Sequence, residues 1–206
     1  AVLKDAIERS YQKVGWDLRN SESEKGIFPT FFDLLDILPG VIEESHYSKD
    51  TQSDYVGALC TRVKSLTNGI YGSVLCAEDA LSDAEMFDQN VIVDLSRVGS
   101  METKSLLMGI LVMKLQEYRM CSSGMNSRLR HVTVLEEAHN LLRKTSAEQS
   151  QEGANLQGKS VEMLANAIAE MRTYGEGFII ADQAPGLLDM SVSYTHLRAH
   201  ETLRHL

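Results

Sequence analysis

Residues 131–139 read HVTVLEEAH, a short run dominated by β-branched and apolar residues that stops at two adjacent acids and a histidine. Such a run is suited to a strand. Working outward, residues 91–96, VIVDLS, form a second short β-branched run, suited to a strand buried on both faces. Residues 102–120, ETKSLLMGILVMKLQEYRM, lie between them and read as a long helix. Beyond His139 a polar linker leads to SVEMLANAIAEMRTYG (160–175), a helix ending at Gly175, and then to GFIIADQ (177–183), a third strand. Strand, helix, strand, helix, strand at these lengths predicts a parallel sheet joined by right-handed crossovers. This part of the chain is therefore expected to be α/β.

The residues before it have a different texture. AVLKDAIERSYQKV (1–14) places Val2, Leu3, Ala6, Ile7 and Val14 at helical spacing. PTFFDLLDIL (29–38) follows, with Thr30 as cap, Asp33 three residues on, and an expected end at Pro39-Gly40. DYVGALCTRVKSLTNGI (54–70) repeats the helical pattern and meets a stop signal at Asn68-Gly69. Residues 1–85 are thus expected to be a mainly helical subdomain without an obvious chemical constellation, and 86–192 the α/β part.

Composition narrows the function classes. The 206 residues are 43% hydrophobic and 24% charged, enough for one sizeable core. A net charge of −9 argues against a surface that binds nucleic acid through bulk electrostatics, though not against a local basic loop or a pore in an oligomer. Cys60, Cys76 and Cys121 fit no metal or disulfide spacing and read as buried thiols of a reducing cytosol. The apolar run LLMGILVM is far short of the roughly 20 residues that a membrane span needs. The chain opens on Ala1 rather than Met and reads as a fragment.

In a parallel sheet the binding crevice lies at the carboxyl ends of the strands. The three expected strands end in Asp94-Leu95-Ser96-Arg97, Glu136-Glu137 and Asp182-Gln183. An apolar strand followed by two acids is a Walker B-type arrangement. Glu136 suits the water shell of Mg²⁺, a hard cation that prefers oxygen, and Glu137 suits polarisation of a water attacking a γ-phosphate. The same pair is also what a helix N-terminus favours in its first turn. Gln183 is placed to sense a phosphate or to be a solvated loop residue. Arg172 stands near a helix C-terminus, where it complements the macrodipole or reaches a phosphate across a subunit interface. His139 reads as a group that supports the neighbouring acids or, in preference, as a packed histidine, and Met101, Met108, Met113 and Met120 read as core filler.

Residues 153–160, GANLQGKS, satisfy the phosphate-loop pattern G-x-x-x-x-G-K-[ST]. A working phosphate loop follows a buried strand, whereas the upstream LLRKTSAEQSQE is polar. It also falls after the Glu-Glu strand. Gly158–Ser160 are accordingly expected to start a helix.

The stretches NVIVDLSRVGSMETKSLLMGILVMKLQEYR, HVTVLEEAHNLL and GKSVEMLANAIAEMRTYGEGFIIADQAPGLLDMSV resemble the HerA-like ATPases of the HerA–FtsK superfamily. These are RecA-type, usually hexameric motors that translocate DNA and are related to type IV secretion and conjugation ATPases. The resemblance is strongest over about 90–192. It implies a RecA-like P-loop core with a helical insertion before it, ATP and Mg²⁺ as cofactors, DNA as partner and a homo-oligomeric ring. It implies a helicase or translocase working in the cytoplasm, for which a nuclease partner is worth seeking. It assigns Glu136 and Glu137 as the Walker B pair, Gln183 as sensor and Arg172 as the phosphate-contacting or inter-subunit arginine. It places the true Walker A upstream of Ala1, so that this chain alone is expected to be inactive. A type IV secretion or conjugation ATPase, or a degenerate, non-catalytic subunit of such an assembly, is the alternative. SYTHLRAHETLRHL (193–206) resembles translated adapter sequence; His196 and His200, four apart, are also at metal-ligand spacing.

Overall fold

A computed structural model describes residues 2–77, 80–142 and 153–189. Two compact units are present, Ala1–Ala80 and Leu81–Leu206.

In the first unit, helix α1 (Val2–Lys13) buries Ala6 and Ser10, whereas Leu3 and Ile7 of the expected apolar face stay largely exposed. A minimal antiparallel hairpin, β1 (Trp16–Asp17) and β2 (Glu22–Ser23), follows. Helix α2 (Phe31–Glu43) is capped as its sequence predicts. The Thr30 side chain accepts from the helix's first N–H groups, and the Asp33 carboxylate accepts from the Thr30 N–H at 2.9 Å. The expected end at Pro39-Gly40 is not observed, because α2 continues through them to Glu43. A proline inside a helix costs about 3 kcal/mol. Val41 and Ile42, just beyond it, are 4% and 1% exposed. Burying such side chains contributes roughly 1.5–3 kcal/mol each, which offsets the break.

Helix α3 (Lys49–Tyr55) runs through a π-helical stretch at Val56–Cys60 into α4 (Thr61–Thr67). Asn68 does interrupt the helix, with φ −95° and ψ 145°, but a further helix α5 (Gly69–Leu75) begins directly after it. The core of this unit is Ala6, Leu34, Leu38, Val41, Ile42 and Val63.

The second unit contains α6 (Asp83–Phe87), α7 (Met101–Ser122), β3 (His131–Glu136), α8 (Gly153–Met171) and β4 (Glu176–Ala181). Strands β3 and β4 pair in parallel, from His131 opposite Glu176 to Glu136 opposite Ala181. This part is α/β, as expected. Alternation puts Leu135, Phe178 and Ile180 against the core of Met108, Val112, Leu115, Leu164, Ile168 and Met171. Val132, Val134 and Ile179 point to the other face and are 42–55% exposed.

The third expected strand is absent. Residues 91–95 carry no strand pairing, and Ile92 is 95% exposed. A β-branched run gains its extended structure from cross-strand packing and burial, and among the described residues nothing pairs with it. Two further expectations are corrected. Met108 is buried and Met113 packs on the core, but Met101 and Met120 are about half exposed. All three cysteines are free, Cys60 and Cys76 are only half-buried, and Cys121 is exposed. Among the described residues no helix is long and apolar enough to cross a membrane.

The amino end of the ladder is closed by a buried carboxylate. Glu176, whose side chain has no exposed surface, accepts from Arg119 Nε at 2.8 Å and Thr133 Oγ1 at 2.7 Å, and lies 2.8 Å from His131 Nδ1. Arg119, on α7, also donates to Asp88 at 2.6 Å and to the Phe87 carbonyl at 2.5 Å. Removing one partner of a buried pair leaves an uncompensated charge. Glu176→Ala should therefore lower stability by about 3–5 kcal/mol. Combined with Arg119→Met it should cost less than the sum of the two single changes. Urea denaturation of the four forms measures both.

Candidate functional site at the carboxyl ends of the parallel strands

Because the two strands finish level, their next residues are neighbours. The chain leaves β3 through Glu137, a non-glycine residue in the left-handed region at φ 51°, ψ 44°. That conformation costs about 1–2 kcal/mol. It then makes a 3₁₀ turn, Ala138–Asn140. The turn is anchored from below: Ala138 and Leu142 are fully buried, Leu141 nearly so, and Ser105 Oγ of α7 donates to the Asn140 carbonyl. The Leu142 carbonyl accepts from the Asp189 N–H at 2.9 Å.

Three side chains meet above this turn. Glu137 Oε2 lies 3.4 Å from His139 Nδ1. The same nitrogen lies 3.0 Å from Asp182 Oδ2 and 3.2 Å from Oδ1. Asp182 is held further by two backbone donors, the His139 N–H to Oδ2 and the Ala184 N–H to Oδ1, each at 2.7 Å. Its side chain is only 2% exposed, whereas Glu137 is 43% exposed. Burial alone would raise the Asp182 pKa, but the N–H donors of Ala184 and His139, with the imidazole beside them, hold it below the ordinary carboxylate value.

The residues singled out by sequence distribute unevenly. Glu136, the last residue of β3, alternates onto the exposed face with Val132 and Val134, and its carboxylate makes no hydrogen bond or ion pair among the described residues. Glu137 turns instead toward His139 and Asp182. Gln183 is exposed beside Asp182. Glu136, Glu137 and Gln183 share one end of the sheet. Arg172 does not: it lies in a 3₁₀ turn before β4, exposed, and so at the opposite end of a strand about 20 Å long. Asp94 is exposed and accepts from the Ser96 N–H in a local turn. His196 and His200 lie outside the described residues.

Sequence reading missed two participants. His139 is not packed in an apolar setting but bonded to Asp182, and Asp182 itself was legible only as part of a polar strand end. Parallel order with level strand ends would have found it, since it brings the residue after Ala181 beside the residue after Glu136. An open cleft of about 390 Å³, lined by Gln116 of α7 and Glu162, Asn166 and Glu170 of α8, lies on the helical flank away from these groups. GANLQGKS is helical backbone throughout, the start of α8, so the expected helix begins at Gly153 rather than near Ser160.

Fold and site together define an α/β chain with a carboxylate–imidazole cluster at the carboxyl edge of a parallel strand pair. No family model, curated protein or solved structure matches it.

The depressed Asp182 pKa fixes the sign of a pH effect. A carboxylate whose pKa is lower folded than unfolded stabilises fully above the unfolded value, about 3.9. It loses that contribution as pH falls through the folded value. Asp182→Asn should therefore destabilise the chain at pH 7 and narrow its gap to the wild type as pH falls below about 4. Denaturation midpoints measured from pH 7 to pH 3 test this.

Proposed function

We propose that the chain is part of an ATP-dependent motor of HerA type, a RecA-like ATPase that assembles as a ring and translocates DNA. The observation that supports this best is the parallel, level pairing of β3 and β4, which sets Glu136-Glu137 and Asp182-Gln183 side by side at one sheet edge. Acids and a polar amide at that edge suit a hydrolytic site. The resemblance over residues 90–192 supplies the nucleotide.

The groups present fit one part of such a site. Glu136 is an exposed carboxylate without a competing partner among the described residues, as a Mg²⁺ ligand requires. Bound there, Mg²⁺ would neutralise charge on the phosphates. Glu137 is the candidate to orient and polarise a water, and Gln183 to sense the phosphate end. Arg172, at the opposite end of β4, fits a role toward a neighbouring subunit better than one toward its own site. The described residues do not fit ATP itself: no glycine-rich loop after a strand cradles phosphates among them. A degenerate, non-catalytic subunit is the alternative reading. The secretion and conjugation relatives remain a substrate-level variant of the same motor.

Turnover by a longer parent chain that carries a phosphate loop decides between motor and degenerate subunit. Glu137→Gln should reduce ATP hydrolysis by at least about 100-fold with nucleotide binding retained. No turnover in either form would overturn the motor reading.

In the same parent, Lys159→Ala should leave hydrolysis within about twofold of wild type, since the helical backbone at this position has no free N–H groups to cradle a phosphate. A collapse of hydrolysis would place the phosphate cradle at GANLQGKS after all.

A further inference from the structure

Glu137, His139 and Asp182 each offer one ligand atom, and these three atoms all lie within 4.8 Å of one another. We infer that they form a site for a divalent transition-metal ion of the zinc class, distinct from the oxygen-only Mg²⁺ position at Glu136. The inference does not rest on the ATPase reading and competes with it for Glu137, which as a zinc ligand is not free to polarise a water.

Hydrogen bonding alone leaves the cluster unbalanced. Two carboxylates converge on one imidazole nitrogen, and that nitrogen carries at most one proton. Asp182 takes it at 3.0 Å; Glu137, 3.4 Å away, receives no hydrogen bond among the described residues. A divalent cation satisfies all three groups at once and balances the two negative charges. The backbone donors on Asp182 use one lone pair on each oxygen and leave one on each for a metal.

The spacing also suits such an ion. Zinc bonds to nitrogen and oxygen of about 2.0–2.2 Å put tetrahedral ligands roughly 3.3–3.5 Å apart. The two edges through His139 Nδ1 are 3.4 and 3.0 Å. The Glu137–Asp182 edge is at most 4.8 Å, and Glu137, at 43% exposure, is the member free to rotate into place. Water would take the fourth position, as in open zinc sites. An imidazole among the ligands selects zinc-class ions over Mg²⁺. Metal binding would move the proton from Nδ1 to Nε2 of His139, releasing none from a neutral ring.

The test is metal binding by the 206-residue chain itself, with Zn²⁺ titrated against a chromophoric chelator and Co²⁺ followed by its visible bands. Glu137→Gln is the decisive variant, because that side chain is half exposed, holds no hydrogen bond among the described residues, and its loss leaves the His139–Asp182 pair intact. Glu137→Gln and His139→Ala should each weaken one site by roughly tenfold or more, with loss of tetrahedral nitrogen/oxygen-type cobalt bands. Glu136→Gln should leave that site unchanged. Sites elsewhere, such as histidines of the C-terminal sequence, would persist in every variant and cancel in the comparison. Zn²⁺ affinity unchanged by Glu137→Gln and His139→Ala would overturn the site. So would binding no tighter than millimolar, cobalt spectra showing only thiolate charge transfer, or loss of the ion in Glu136→Gln alone.

Discussion

A carboxylate with no exposed surface sits at the first position of β4, and the architecture of the second unit hangs on how it is satisfied. Glu176 takes hydrogen bonds from α7 through Arg119 and from β3 through Thr133, with His131 alongside. A charge so placed is tolerable only if every partner is present. It therefore specifies the distance and rotation of α7 against both strands more sharply than apolar packing would. Arg119 extends the constraint to the end of α6 through Asp88 and the Phe87 carbonyl.

The two ends of the ladder consequently differ in kind. At the amino end Glu176 and Arg119 are buried and their partners all come from within the unit, which is the signature of a structural network. At the carboxyl end Asp182 is buried and well supplied with donors, Glu136 and Glu137 are exposed or half exposed without a hydrogen bond among the described residues, and the chain is turned there by a left-handed Glu137 held by buried Ala138 and Leu142. Strain of that sort persists only where surrounding packing imposes it. Asn140 Oδ1, in the same turn, is buried with no donor among the described residues. The ladder thus couples a satisfied base to an under-satisfied edge.

How legible this was depended on range. Helix α7, strands β3 and β4 and the Thr30 cap followed from local periodicity and capping chemistry, which act within a few residues. The extension of α2 past Pro39 did not, because it is decided by burial of Val41 and Ile42 against α1 and α4, a tertiary effect that overrides a local stop signal. VIVDLS shows the converse: its composition suits a strand, but a strand needs a partner, and composition does not say whether one is at hand. At the site, Glu136 and Glu137 were visible as a pair in sequence, but not their separation onto two faces. Asp182 and His139 needed knowledge of which strand lies beside which.

GANLQGKS shows why a pattern can match without its function. A phosphate loop works because backbone N–H groups are free to point at the anion. In an α-helix only the first four N–H groups lack an internal partner. The described part of α8 begins at Gly153, so no donor left free at the start of this helix lies beyond Leu156. Gly158, Lys159 and Ser160 are past that point, and their N–H groups are turned back onto the preceding turn. Whatever the Lys159 side chain does, the backbone around it has no donors left to offer a phosphate, and the pattern loses the physical content that gives it meaning.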